Sequence, residues 1–159
     1  MKIRTQQSGV TLIELMVVLV IIGILGTILA MTYSGIQAKN RNTTRQDNIQ
    51  ALQRQLEIYY AQTSKYPTLA NLNDTNWRAA NTKDLPKDAL QDPRWSKDIK
   101  DCTVNDNAVL IGTLAANCYA YQVTGVDGSA CNNATVDCAH FALTATLEGG
   151  DKYVKSSLN

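Results

Sequence analysis

The feature that most constrains this chain is an apolar run from Val10 to Met31, which carries a single charge, Glu14. As a helix this run spans about 33 Å, which is enough to cross a bilayer core of about 30 Å. Elsewhere the apolar residues are diluted by Asn, Asp, Thr and Lys, as in a soluble domain. The sequence therefore predicts one membrane segment and one soluble domain within 159 residues.

The segment ahead of the run, residues 1–9, is short and polar, with Lys2 and Arg4 and no acidic residue. Positive charge before a membrane segment favours the cytoplasm, so the C-terminal domain is expected outside. A secretory signal peptide has a shorter apolar region, and a cleavage site near Ala30 would be weak. A plain signal anchor fits the length but does not explain Glu14, because a charge within a membrane segment usually marks function.

Residues 8–18 read SGVTLIELMVV and resemble the type IV prepilin signature. That signature joins a polar leader ending in Gly, an apolar residue, the motif Thr-Leu-Ile-Glu-Leu and a long apolar helix. The resemblance implies that a prepilin peptidase/methyltransferase cuts between Gly9 and Val10 and methylates Val10. Phe or Met is commoner than Val at the first mature position, but Val10 is apolar and we expect processing to survive.

Glu14 is the fifth residue of the expected mature chain, and two roles are open for it. The new amine of Val10 and the carboxylate of Glu14 are both costly in lipid, and pairing lowers that cost. They can meet within one helix or between staggered subunits, and the resemblance implies the second arrangement, which sets subunit register. The alternative is a cap on the first helical turn, where negative charge complements the helix dipole. We expect Val10 and Glu14 to be assembly residues.

Residues 32–63 continue the helical pattern and become amphipathic, with an apolar stripe on one side. No proline occurs before Pro67, so the sequence predicts one helix from about Val10 to Thr63. The stripe consists of Ile49, Leu52, Leu56 and Tyr59.

Three basic residues lie on the side of the helix opposite the stripe: Lys39, Arg41 and Arg45. We interpret them as part of a solvated face, with contact to lipid headgroups before assembly as the alternative. The net charge of +1, with both signs interspersed, does not indicate a nucleic-acid partner, although a filament subunit can have one.

Residues 64–101 are predicted to form a connecting loop with one short helix near 77–85, because Pro, Asn and Asp favour turns. Beyond this loop, apolar residues alternate with polar ones, as in half-buried antiparallel strands. A sheet with one apolar face needs a cover, and the helical stripe supplies it. The predicted strands are 108–114, 118–124, 139–147 and 152–155.

The predicted fold is α+β, with a long N-terminal helix packed against an antiparallel sheet of about three to four strands. The resemblance implies that this is the pilin fold. The expected segments are a cleaved leader (1–9), a transmembrane and assembly helix (10–31), its amphipathic continuation (32–63), the connecting loop (64–101) and a β-sheet head with a disulfide-closed C-terminal loop (102–159).

All four cysteines lie in the C-terminal third, and an even number beyond a membrane segment predicts disulfides. Of the three pairings we favour Cys102–Cys118 and Cys131–Cys138, because each closes a local loop. Zinc fits less well, since no C-x2-C pair occurs and His140 is the only histidine.

No recognisable catalytic pattern occurs: the chain lacks a glycine-rich phosphate loop and a nucleophile with a base partner. We therefore predict that it is not an enzyme and uses no cofactor. Calcium is an alternative for the oxygen-bearing side chains of residues 127–137, which are Asp127, Asn132, Asn133 and Asp137. Their spacing matches no calcium-binding loop, and we predict no metal site.

The resemblance implies a structural subunit, a type IV pilin that polymerises with its own copies into an extracellular pilus for adhesion, motility or DNA uptake. Its expected partners are the peptidase/methyltransferase, an inner-membrane assembly platform and an assembly ATPase. Before assembly it is expected to be a single-pass protein of the cytoplasmic membrane. The alternatives are a pseudopilin of a type II secretion or competence apparatus, and a monomeric membrane-anchored binding module.

Overall fold

The computed structural model describes residues 9–86 and 88–158. The predicted leader therefore lies outside the described residues except for Gly9. The chain divides into two compact units, Met1–Ala38 and Lys39–Asn159. The two units have different kinds of surface.

Helix α1 is Leu12–Thr63, which confirms the single long helix that the sequence predicts. In the first unit its large apolar side chains, from Val10 to Leu29, are each at least 50% exposed wherever they are described. Among the described residues, α1 is the helix long and apolar enough to cross a membrane. An apolar surface of this extent needs lipid or other helices to cover it.

The C-terminal end of α1 is set by backbone geometry. Ser64 has a positive φ of 59°, and its N–H donates to the carbonyl of Tyr60 at 2.7 Å. A left-handed residue just after a helix satisfies one of its last carbonyls and turns the chain away. Pro67 follows three residues later, as expected for a helix end.

A three-stranded antiparallel sheet forms the main β layer, in the order β3-β4-β5. Its central strand, β4, buries Phe141, Leu143 and Ala145, while the alternate residues are half-buried. Tyr121 of β3 is paired with Leu143, so both lie on the covered face. The strands are β3 (Ala120–Thr124), β4 (His140–Thr146) and β5 (Lys152–Ser156).

The apolar stripe of α1 covers this sheet, as predicted. Ile49, Leu52 and Leu56 are at most 1% exposed and share one core with Phe141 and Leu143. Burying one such side chain contributes about 1.5–3 kcal/mol, so the contact between the helix and the sheet stabilises the second unit.

Short elements fill the connection between α1 and the sheet. They are α2 (Leu69–Asn73), α3 (Thr75–Asn81), a 3-10 helix (Lys100–Cys102), β1 (Thr103–Val104) and β2 (Asn107–Ala108). The helix predicted near 77–85 corresponds in part to α3, which begins and ends earlier, at Thr75 and Asn81, whereas α2 was not predicted. Asp74 accepts hydrogen bonds from the N–H groups of Asn76 and Trp77, which starts α3 at Thr75.

The predicted strand at 108–114 was also wrong for most of its length. Strand β2 ends at Ala108, and Ile111 forms only an isolated bridge with Ala120. Between them, the side-chain amide of Asn73 takes both backbone groups of Leu110, at 2.9 Å each. A side chain from α2 thus occupies the backbone groups that a neighbouring strand would otherwise pair with.

Candidate functional site

The start of α1 is a capping box built by Thr11 and Glu14. The Thr11 N–H and hydroxyl both donate to Glu14 Oε2 at 2.8 Å, and the Glu14 N–H donates to the Thr11 hydroxyl at 3.3 Å. This reciprocal arrangement satisfies N–H groups that have no partner within the helix. It gives geometric support to the capping role that the sequence leaves open as the alternative for Glu14.

Thr11 is a residue that the sequence reasoning missed, although the signal was present. Ser or Thr followed three residues later by Glu, just ahead of an apolar run, is a capping-box pattern, and Thr11-Leu12-Ile13-Glu14 matches it. Among the described residues, Val10 and Glu14 are not hydrogen-bonded to each other, and Glu14 Oε1 accepts no hydrogen bond. One carboxylate oxygen of Glu14 thus has no hydrogen-bond partner among the described residues.

The four cysteines form two disulfides, Cys102–Cys118 and Cys131–Cys138. This is the pairing that the local-loop argument favours. The first disulfide lies in a small cluster with Val109, and the second closes a surface loop whose Cys138 is fully buried.

The loop closed by Cys131 and Cys138 is held against the chain that leaves α1. The Tyr66 N–H donates to the carbonyl of Cys138 at 2.8 Å, and Asn133 Nδ2 donates to the carbonyl of Tyr66 at 2.7 Å. The Cys138 N–H in turn donates to Asn133 Oδ1 at 2.8 Å. Lys65 adds an ion pair with Asp137 at 3.5 Å. The loop and the helix exit therefore form one hydrogen-bonded unit.

The oxygen-bearing side chains considered for calcium are engaged within this region. Asp127 Oδ1 accepts from the Ser129 N–H at 3.0 Å, and hydrogen bonding from the Ser129 side chain, followed by that from its backbone N–H, lowers the pKa of the Asp127 carboxyl. Asn132 Oδ1 accepts from the N–H groups of Ala134 and Thr135. Within the described part of the chain, no cluster of three metal-ligating His, Cys, Asp or Glu side chains is found.

A partly buried ion cluster lies around Arg45 in the second unit. Arg45 is 3% exposed and binds Asp92 through two hydrogen bonds, of 2.6 and 3.0 Å. Glu148, in the turn between β4 and β5, accepts hydrogen bonds from Arg41 at 2.8 Å and from Arg45 at 3.1 Å, and it forms an ion pair with Arg94 at 3.0 Å. The cluster joins α1, the connecting loop and the sheet.

This cluster corrects the interpretation of the basic residues of α1. Arg45 does not belong to a solvated face, and Arg41 is only 23% exposed. The sequence spacing shows where on the helix an arginine lies, but Asp92 and Glu148 are distant in sequence. The hydrogen bond from Arg41, with further support from Arg45, lowers the pKa of Glu148 to about 2.

Comparison with known families and proteins bears first on the N-terminal segment. The family model for the prokaryotic N-terminal methylation motif matches residues 4–30. Type II secretion system core protein G of Vibrio cholerae is 31% identical over 130 residues, which cover 74% of this chain and 86% of that protein. The chain belongs to the pilin-like family of type II secretion system core protein G.

Other core protein G sequences match this chain over a shorter stretch of residues. The protein of Dickeya chrysanthemi is 38% identical over 63 residues, and that of Aeromonas hydrophila is 37% identical over 65 residues. These matches cover 40% and 41% of this chain, and they span about half the length of the relatives, 41% and 46%. No solved structure matches the chain at a comparable significance.

Proposed function

We propose that this chain is a structural subunit of the pseudopilus of a type II secretion system. The observation that carries the proposal is the match to core protein G over 86% of the length of the Vibrio cholerae protein. It reverses the order in which the sequence places the two filament functions: the secretion pseudopilin becomes the leading function and the surface type IV pilus the alternative. Members of this family are structural subunits and not enzymes.

Processing and anchoring follow from the segments at the N-terminus. The methylation motif spans residues 4–30, so it contains the proposed cleavage site between Gly9 and Val10. After cleavage and methylation of Val10, residues 10–31 hold the subunit in the cytoplasmic membrane, with 32–63 and the connecting loop 64–101 leading to the head at 102–159. The proposed partners are other copies of the chain, the peptidase/methyltransferase, the membrane platform and the assembly ATPase.

Assembly requires the exposed apolar surface of α1 to move from lipid to neighbouring helices. Glu14 supports this step because Thr11 occupies only Oε2 and leaves Oε1 for the methylated amine of a neighbouring Val10. The capping role and the assembly role are therefore compatible. The cap orients the carboxylate, and the ion pair with the neighbour fixes the stagger between subunits.

The test compares Glu14→Ala with Thr11→Val in a strain that lacks the native gene. Glu14→Ala is expected to give a processed, membrane-inserted subunit that fails to restore release of proteins into the medium. Thr11→Val keeps the carboxylate and removes only the hydroxyl of the cap, so it is expected to restore most of the release. Processing is checked by mass spectrometry of the N-terminus, and secretion by the protein content of the medium.

Equal defects in the two variants would show that Glu14 acts only as a cap. The wild-type chain also distinguishes the two filaments. A pseudopilin stays with the cells when they are sheared, whereas abundant recovery of the chain in sheared fibres, with secretion unaffected by gene deletion, would favour the surface pilus.

A further inference from the structure

A cavity of about 490 Å³ lies beside α3, within the connecting loop. This volume falls in the range of small-molecule sites, about 300–1,000 Å³. The charged side chains that line it among the described residues are both cationic, Arg78 and Lys83. Leu85 and Leu90 supply an apolar part, and Thr75 adds a hydroxyl. The lining therefore suits a ligand with an anionic group and an apolar body.

Arg78 is held in place without being neutralised. Its Nη1 donates to the carbonyl of Leu72, and none of the ion pairs among the described residues involves Arg78. Asp74 attracts it from further away, and the Asp74 Oδ1 already accepts from two backbone N–H groups. By contrast, Arg45 is paired with both Asp92 and Glu148.

The remaining N–H groups of Arg78 open to solvent. Nε and Nη2 have no hydrogen bond within the described protein, and no buried side-chain polar atom there lacks a partner. These nitrogens are therefore accessible, and Arg78 borders this cavity and an adjoining one of about 370 Å³. Partial desolvation lowers the pKa of Arg78, and an incoming anion would offset that cost.

We propose that this cavity binds a small organic anion, a carboxylate or phosphate, whose charged group pairs with Arg78 and Lys83. The apolar part of the ligand lies on Leu85 and Leu90. Arginine suits this role because its planar guanidinium donates two parallel hydrogen bonds to a carboxylate or phosphate. The site does not involve the N-terminal helix, so it is independent of the proposed role in filament assembly.

The experiment titrates the full chain, in detergent micelles, with inorganic phosphate, acetate and hexanoate. Binding is followed by the side-chain Nε–H signals of arginine in ¹⁵N–¹H NMR spectra. All three probes are expected to shift the Arg78 signal in a saturable way. Hexanoate is expected to bind about tenfold more tightly than acetate, since its longer chain buries additional methylene groups against the leucines.

Two variants test the assignment, and one serves as a control. Arg78→Gln and Lys83→Gln are each expected to weaken hexanoate binding about tenfold, because each removes a charge-assisted hydrogen bond. The Arg78→Gln variant lacks the arginine Nε–H signal, so its binding is measured from the backbone amide signals of α3. Lys83 is exposed, so its replacement tests the site even if Arg78→Gln fails to fold. Lys152→Gln removes an exposed lysine of β5 and is expected to leave binding unchanged.

Absence of a saturable shift would overturn the proposal. So would an equal loss in Lys152→Gln and Lys83→Gln, since that result indicates unspecific attraction to positive charge. Equal affinities for acetate and hexanoate would overturn the assignment of the apolar part. None of these results bears on secretion, so the proposed function stands or falls separately.

Discussion

At the scale of single residues, the second unit buries charged side chains where an oppositely charged side chain is bound to them. Arg45 and Asp92 are both almost fully buried, and each provides the counter-charge of the other. A buried ion pair is weak evidence of net stabilisation, but breaking one side of it leaves an uncompensated charge. Removing one member of the Arg45–Asp92 pair is therefore expected to destabilise the second unit.

Arg45→Met is expected to lower the free energy of unfolding by about 3–5 kcal/mol, because Asp92 is then buried without a counter-charge. Urea unfolding of the full chain in micelles, followed by tryptophan fluorescence, measures the loss. Arg54→Met replaces an exposed arginine of the same helix and is expected to change stability by about 0.5 kcal/mol or less. An equal effect of the two substitutions would contradict the role given to Arg45.

The lowered pKa of Glu148 predicts the pH dependence of stability. The folded-state pKa is about 2, below the ordinary value of 4.5, so the unfolded chain takes up the proton first as the pH falls. The contribution of Glu148 is therefore complete above about pH 4.5 and is lost progressively toward pH 2.

Glu148→Gln is expected to lower stability at pH 7 and to flatten the decline between pH 4.5 and 2. Urea midpoints across this range measure both effects. Asp151→Asn, an exposed carboxylate near the same turn, serves as the control and is expected to change neither. A decline as steep in Glu148→Gln as in the wild type would assign the acid sensitivity to other groups.

At the scale of elements, the long helix and the strands of the main sheet could be predicted from the sequence. The short helices and strands of the connecting segment could not. The stripe at Ile49, Leu52 and Leu56 predicts the covered face of α1, and the alternation in 139–147 predicts β4, because both depend on periodic burial. The segment after Ala108 begins with a continuous apolar run, Val109-Leu110-Ile111, but it does not form a strand. There Asn73 takes both backbone groups of Leu110, and no period in the sequence reports such a contact.

The two disulfides are expected to contribute different amounts of stability. In the chain-entropy model, losses of about 3 kcal/mol for Cys102→Ser/Cys118→Ser and about 2 kcal/mol for Cys131→Ser/Cys138→Ser follow from the loop lengths. The second pair has a further local effect, since its loop accepts the Tyr66 N–H.

Hydrogen exchange separates the local effect from the global one. Cys131→Ser/Cys138→Ser is expected to accelerate exchange of the Tyr66 amide well beyond the acceleration seen across the core. Cys102→Ser/Cys118→Ser is expected to alter it only through global stability. Protection of Tyr66 that is unchanged in the first variant would mean that the loop docks on the helix exit without its disulfide.

At the scale of the whole molecule, the chain combines a membrane segment that other molecules must cover with a head that has its own core. Under the proposed function, the chain is processed before its N-terminus can pair with a neighbour. Changing Gly9 to Leu is expected to leave the full-length chain in the membrane and to abolish restoration of secretion. Ser8→Ala alters the adjacent leader residue and is expected to be processed normally.

Mass spectrometry of the membrane fraction decides this prediction. The wild-type chain and Ser8→Ala are expected to begin at Val10 with one added methyl group, while the Gly9 variant keeps its leader. A mature N-terminus at any residue other than Val10 would contradict the cleavage site and, with it, the position of Glu14 one turn into the helix.

The sequence by itself determined the apolar N-terminal segment, the long helix with its covered face, the central and edge strands, and membership of a prepilin-like family. These depend on composition, periodicity and a local motif, which are properties of neighbouring residues. Only the tertiary structure decided the burial of Arg45, the docking of the Cys131–Cys138 loop on Tyr66 and the cavity at Arg78. Each of these depends on groups far apart in sequence, whose meeting is set by the packing of the sheet and the connecting loop against the helix.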